Sequence, residues 1–378
     1  MRQESKTWLR ATATLVGMII GVGFFGVPYV VAQAGWGIGV FYFVFLGSVM
    51  IVVHLMYGEV ILRTLGSHRF VGFVEVYCGK NIKKLAVFTS TFGFWAALVA
   101  YIILGGRFLF LLLTPLFGGS EFNYQILFFV ILGALIYKGI KLVTKIELIL
   151  TVVLTLFIVV LILGGLPKVN LGQAPFTNFS NFFLPYGVIL FALSGAPAIP
   201  EIRDILKGNF GQMKKIIIVG GLLTIILTLV FALVTIGITG NVSEDAISSL
   251  AGVLGNWVII VGSLMGFLAV ATSFLVLGLN LEEQFLYDLH RSRVLSFFLA
   301  LGAPLLIFLF LTRDFIRVIG FAGAVFTALD TALLVMIWLR ARARGKRTPE
   351  YSLKIGRWFG WILIVLFIFG AIYEIFNI

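Results

Sequence analysis

Charge is what this chain has least of: of its 378 residues only 12% are Asp, Glu, Lys or Arg, whereas 61% are apolar. Water-soluble globules have an apolar share nearer ~45 to 50%, so a soluble fold is excluded and a polytopic membrane protein is indicated. Cysteine is almost missing. The one residue, Cys78, excludes an internal disulfide and a cysteine metal cluster. Histidine is nearly as scarce: His54 lies inside an apolar run, packed between helices, and His68 and His290 lie in loops. No Ser/His/Asp set, paired carboxylates or metal-ligand cluster stands at reactive spacing, so the chain does not read as an enzyme. Also lacking is any polar stretch long enough for a sizeable soluble segment, and residues 1–378 read as a single membrane domain without linkers. The short N-terminal stretch carries no small-residue cleavage site, so the first span is expected to insert and stay. The net charge of +12 does not point to nucleic acid, because the cations sit in short loops between apolar runs, where they set topology.

What fills the chain is apolar windows of the roughly 20 residues that a helical span needs. They fall near 8–34, 37–62, 85–113, 123–138, 146–166, 183–206, 216–239, 256–286, 294–311, 316–339 and 357–376, an all-α arrangement of eleven spans. Cytoplasmic loops carry the excess of Lys and Arg. With the N-terminus inside, only Arg107, Lys168, Arg313 and Arg317 of the 28 cations fall on the outer side. A missed or invented span would invert every later loop, so this asymmetry supports the count, the orientation and a C-terminus outside. The expected location is the cytoplasmic (plasma) membrane.

Two spans contain clusters that break helices. Gly17 to Pro28 holds four glycines and a proline, and Phe191 to Glu201 holds Ser194, Gly195, Pro197 and Pro200. Either cluster alone reads as a kink. They open spans separated by five in the order, so a second unit of five would enter the bilayer from the opposite side. Matched interruptions of this kind are the sequence sign of an inverted-repeat transporter with a midplane site. The repeats would run from about 8–166 and about 183–339, with an extra helix at about 357–376. Gly21-Val-Gly23-Phe-Phe-Gly26 also spells a dinucleotide fingerprint, but no strand precedes it, Pro28 follows at once and no acid occurs before Glu59.

The first cluster, with the Ala-Gln-Ala-Gly35 that follows it, resembles the first span of the amino acid/auxin permease family. Phe-Ala-Leu-Ser-Gly-Ala-Pro-Ala-Ile-Pro-Glu201 resembles that family's sixth span, and Tyr-Ile-Ile-Leu-Gly-Gly106 its third. The resemblance runs over essentially the whole chain. It implies a leucine-transporter-type fold, within the amino acid/polyamine/organocation superfamily, that imports an amino acid by alternating access.

Carried onto this sequence, the resemblance implies an unwound Gly21–Gly26, including Gly23, before a half-helix starting near Pro28, whose positive end suits a substrate carboxylate. Ser194, Gly195 and Ala196 would act likewise in the sixth span, with the Phe191 and Ala192 carbonyls accepting from an ammonium. Small Ala196 leaves room for a side chain that Phe24 and Phe191 would wall, unless those rings are packing or lipid-facing. Tyr101 would reach the carboxylate through its hydroxyl. The family resemblance also implies sodium as coupling ion, held by Thr272, Ser273 and the Ala269 carbonyl with carbonyls of Gly17 and Ile20. Some proton-coupled relatives place a span-five lysine there, and Thr151 to Val160 contains none. Glu59 would brace the broken sixth helix by accepting amides near Gly195, or pair with Arg63. Asp330, without an obvious local partner, is a proton site or a structural acceptor, and Glu201 reads first as a helix cap. A channel, a membrane enzyme and a transporter-like sensor are the competing classes. The expected partners are the amino acid and the lipid bilayer, with no other cofactor.

Overall fold

The computed structural model describes residues 2–66, 68–138, 143–288 and 292–377. Lys141, His290 and Arg291 lie outside the described residues. Helices α1 (Arg2–Ile19) and α2 (Val22–Ala34) form a pair bent by 54°. They are followed by α3 (Trp36–Arg63), α4 (Phe70–Cys78), α5 (Lys80–Phe117), α6 (Glu121–Tyr137) and α7 (Val143–Gly165). The second half holds α8 (Leu184–Ala192), α9 (Ala198–Leu206), α10 (Met213–Thr239), α11 (Ile247–Leu254), α12 (Trp257–Glu283), α13 (Arg293–Phe297) and α14 (Ala303–Phe310). The last helices are α15 (Phe315–Phe321), α16 (Ala328–Arg344) and α17 (Arg357–Phe376), with a π-helical turn at Ala322–Thr327 joining α15 to α16. No β-strand occurs among the described residues.

Counting α13–α14 and α15–α16 as one segment each, eight helical segments among the described residues are long and apolar enough to cross a bilayer, and nine with the bent pair α1–α2. The expected fourth span, α6, has 17 residues, and α8 and α9 have nine each. Two short helices stand where loops were expected. The α4 helix is fastened by the Tyr77 hydroxyl 2.8 Å from Thr64 Oγ1 and by Lys83 donating to Glu75 at 2.7 Å. The α11 helix starts on Asp245, which accepts from the Ser248 amide at 2.7 Å and its hydroxyl at 2.9 Å. Both are too short for a span and too polar at their ends to stand out as apolar windows.

The long α5 is central to the packing, lying against α6, α12, α14 and α15. In hydrocarbon, helices gain little from hiding apolar surface, so close approach of small residues does much of the packing. The tightest crossing joins α8 to the α15–α16 segment. A Cβ on Gly323 would overlap the Gly187 carbonyl oxygen, and one on Gly187 would overlap that of Gly320. This crossing fixes the first half of the broken sixth segment, whose partner α9 rests on α1 and α3. Gly323→Leu is expected to lower the thermal stability of the detergent-solubilised protein by about 3 kcal/mol or more. Gly164→Ala, with nothing within 4 Å of the added carbon, should leave it unchanged.

Candidate functional site: two interrupted helices

In the first interruption only Ile20 and Gly21 leave the helix. Gly21 takes an extended conformation (φ −111°, ψ −153°), its amide donating to the Ile19 carbonyl at 2.9 Å. Helix α2 then begins at Val22, so Gly23, Phe24 and Gly26 are helical and Pro28 lies inside α2 rather than opening it. The expected unwinding over Gly21–Gly26 is therefore shorter and earlier. Glycine permits a break without imposing one, and from Phe24 onward, whose amide donates to the Gly21 carbonyl at 3.1 Å, the helix resumes while a single proline is accommodated. No side chain caps α2. Its first amides point toward partly exposed Gly21, whose Cα faces only the Met18 carbonyl, 3.9 Å from where a Cβ would sit.

The second interruption runs from Leu193 to Pro197. Ser194 N–H donates to the Phe191 carbonyl at 3.1 Å, and the Gly195 carbonyl accepts from Ala198 at 3.1 Å. The Phe191 carbonyl, expected to be free for an ammonium, is thus already engaged. Ser194 and Ala196 are partly exposed and Pro197 is exposed. Helix α9 has no side-chain cap; Glu201 lies in its first turn, where a carboxylate favours the positive end, without bonding to its amides.

The two interruptions meet. A Cβ on Gly23 would lie 2.9 Å from the Phe191 ring and 3.0 Å from Ala192 Cα. Gly195 packs against Ile19 and Leu15 of α1, and Gly26 against Phe315, Ile316 and Ile319 of α15. Those two glycines are consumed by helix contacts, so they do not line an opening. Phe24 is buried and stacks on Phe231 with centroids 4.5 Å apart, and Phe25 meets Phe108 edge-on at 5.1 Å. Phe191 and Tyr101 stay partly exposed. Gly21, Tyr101, Phe191, Ser194 and Ala196 are thus the partly exposed members of the substrate set named from sequence.

Glu59 does not brace the sixth segment. Fully buried, it accepts five hydrogen bonds: Arg63 Nε at 2.9 Å and Nη2 at 2.7 Å, Ser352 Oγ at 2.8 Å, Trp338 Nε1 at 2.9 Å and the Leu353 amide at 3.0 Å. It ties α3 to α16 and to the segment before α17, and the Arg63 pairing weighed from sequence is present. The Gly195 amide donates instead to His54 Nε2 at 3.2 Å. Five positions separate the two residues on α3, about 140° around the helix, so they face different neighbours. Only its place in an apolar run marked His54, and that signal equally suits a packed histidine. Asp330 does have a partner, Thr89 of α5, which donates at 2.5 Å; among the described residues it makes no ion pair.

On α12, partly exposed Thr272 bonds back to the Leu268 and Ala269 carbonyls, each at 3.0 Å, and Ser273 lies beside it. Gly17 of α1 abuts Thr151 of α7, and α7 packs against both α1 and α12. The five oxygens named from sequence thus stand on two helices bridged by α7, with one carbonyl already accepting from Thr272. The position facing Gly17 carries a hydroxyl and no charge.

With this geometry in place, comparison with known proteins becomes informative: the tryptophan/tyrosine permease family matches residues 4–374. The chain belongs to that family. Members of the tryptophan/tyrosine permease family are membrane transporters, not enzymes. This chain is similar to "Tyrosine-specific transport system 1" of Haemophilus influenzae, 30% identical over 360 residues and 88% of each protein. "Glutamine transporter 2" of Aliivibrio fischeri is 22% identical over 352 residues, 87% of this chain and 88% of that one. Among solved structures, MhsT in complex with L-phenylalanine superposes with a TM-score of 0.68 at 18% identity, covering 96% of this chain and 98% of that one. This likeness shows a fold of the leucine-transporter type. The amino acid/auxin label drawn from the motifs gives way to the tryptophan/tyrosine permease family as the one shown.

At the other end of α5, Arg107 holds the start of α11 through Asp245 at 2.7 Å and Glu244 at 3.6 Å. Burial, then the nearby Asp314, push the Glu244 carboxyl above its usual range, against the pull of Arg107. A carboxyl so raised favours the folded state when neutral and costs stability once ionised. Glu244→Gln is therefore expected to raise the melting temperature at neutral pH, with the gain vanishing below the ordinary carboxylate range. Glu59→Gln should instead lower stability by roughly 3 kcal/mol, because it strands the Arg63 charge, and thermal unfolding in detergent reads both effects.

Proposed function

We propose that this permease imports an aromatic amino acid by alternating access, with sodium as the coupling ion. The observation that carries this reading is the meeting of two interrupted helices at a partly exposed face. An uncapped helix start at Gly21 suits a carboxylate. In the turn at Ser194–Ala196 the Gly195 and Ala196 carbonyls accept from Ala198 and Ile199, so the Ser194 carbonyl is the acceptor for an ammonium, and Phe191 with small Ala196 suits a flat, apolar side chain. The family and the tyrosine-transporting relative support the aromatic class; the more distant glutamine transporter makes glutamine the competitor to test.

The eleven-span inverted repeat, with the N-terminus inside, is the architecture on which this reading rests. It is supported by the Lys and Arg asymmetry and by the two interruptions. Sodium coupling is supported by hydroxyls rather than a cation at the expected ligand positions, Thr272 and Ser273 on α12 and Thr151 facing Gly17. A rearrangement in the transport cycle that brings α1 onto α12 would let the Gly17 and Ile20 carbonyls join the Ala269 carbonyl and the two hydroxyls. A proton-coupled reading is favoured by one observation, Asp330 held by the Thr89 hydroxyl alone among the described residues.

Uptake of an amino acid panel into proteoliposomes, with sodium and proton gradients imposed separately, tests both parts. Saturable uptake of tyrosine, tryptophan or phenylalanine is expected, lost by more than about tenfold in Thr272→Ala with Ser273→Ala at fixed sodium. Sodium-independent uptake unaltered by that pair would remove the sodium assignment. Failure of every amino acid to compete would remove the substrate class.

A further inference from the structure

The amide of Gly195 lies in the middle of the second interruption, and the group that satisfies it is a titratable side chain. His54, 2% exposed on α3, accepts from it at 3.2 Å through Nε2. An imidazole nitrogen accepts only when unprotonated, so the geometry requires a neutral ring with its proton on Nδ1. If a proton is added to Nε2, that nitrogen becomes a donor and faces the Gly195 N–H donor to donor. The bond is then lost, and the freed amide at membrane depth must find another partner.

The surroundings leave this exchange uncompensated. Helix α3 packs against α2, α8, α9, α10 and α16. Their titratable and charged groups are Tyr29 on α2, Tyr186 on α8, Glu201, Arg203 and Asp204 on α9, Lys214 and Lys215 on α10, and Asp330, Arg340, Arg342 and Arg344 on α16. On α3 itself stand Tyr42, Tyr57, Glu59 and Arg63, and Tyr351 reaches α3 from the segment before α17. Among the described residues, none of these hydrogen-bonds or ion-pairs with His54, so no carboxylate holds the ring protonated. Ser194, Ala196 and Pro197, next to the bonded amide, carry the exposed edge of the turn.

We propose that His54 is the positioning residue of the second interruption. Protonation of its imidazole releases Gly195, loosens the Ser194–Ala196 turn and lowers affinity for the transported amino acid. The affinity clause rests on the transport reading above; the release of Gly195 does not.

The test separates the two. Amide hydrogen exchange of the peptide spanning Gly195 is measured on the full chain in lipid nanodiscs for the native protein, His54→Gln and His54→Leu. Glutamine presents a carbonyl oxygen near the Nε2 position and does not titrate in this range. Dividing each rate by that of His54→Gln at the same pH cancels the intrinsic pH dependence of exchange. For the native chain this ratio is expected to be near one at about pH 8 and to rise about tenfold at about pH 4. His54→Leu, which lacks an acceptor, should exchange fast at both. A native ratio that stays the same at both pH values overturns the proposal, as does slow exchange in His54→Leu at the higher pH. In parallel, Kd for L-tyrosine and L-tryptophan should rise on acidification in the native chain and stay level in His54→Gln. A Kd that rises equally in His54→Gln also overturns the proposal. Exchange that follows the expected pattern without binding of any amino acid retains the His54 assignment and removes the transport reading.

Discussion

Every freed backbone group at membrane depth needs a partner, because hydrocarbon offers none. The rest of this structure depends on how that constraint is met at two interrupted helices. At the first, the debt is small: Ile20 and Gly21 leave the helix, and the amides that α2 leaves unpaired open onto the partly exposed face at Gly21. At the second, five residues leave the helix; the Leu193 and Ser194 amides and the Gly195 and Ala196 carbonyls pair locally, and the Gly195 amide reaches across to His54. The backbone polarity released by the two interruptions is therefore met in two different ways, by local turns and by one side chain reached across the bundle.

Around this centre the packing divides into contacts that hold and contacts that leave room. Gly187 with Gly320 and Gly323 lets two backbones approach more closely than any side chain allows, fixing α8. Phe24 on Phe231 and Phe25 on Phe108 close one side of the first interruption with stacked and edge-on rings. Glu59, with five donors, couples α3 to α16 and the segment before α17, so the helix that carries His54 is held firmly five positions further on. A buried carboxylate so completely satisfied is a structural joint, and its charge is stabilised only as long as all its donors stay in place.

Much of this was legible in the residues. Low charge and long apolar runs set the membrane class, and two clusters of glycine and proline located both interruptions to within a few positions. Their exact form was not legible: glycine at 23 and 26 allowed unwinding, but helical amides regained partners, and the turn shrank to Gly21. Short helices α4 and α11 were missed because neither has the length or apolar period that marks a span. The assignment of the Gly195 acceptor to Glu59 rather than His54 failed for a geometric reason. A carboxylate is the better acceptor in isolation, but which face of α3 meets α9 depends on helix rotation, and a run apolar nearly all round has no polar stripe to report it.

The sequence by itself therefore determined solvent, class and the positions where the backbone must leave the helix, since these follow from composition and from the local conformational limits of glycine and proline. Tertiary structure alone decided which side chain answers each freed group: His54 for Gly195, Thr89 for Asp330, Arg63 with Trp338 and Ser352 for Glu59. Except for the Glu59–Arg63 pair, one helical turn apart, these partners are more than eighty residues apart in the chain. They meet only because helix rotation and close packing bring them there, and no local pattern encodes a rotation.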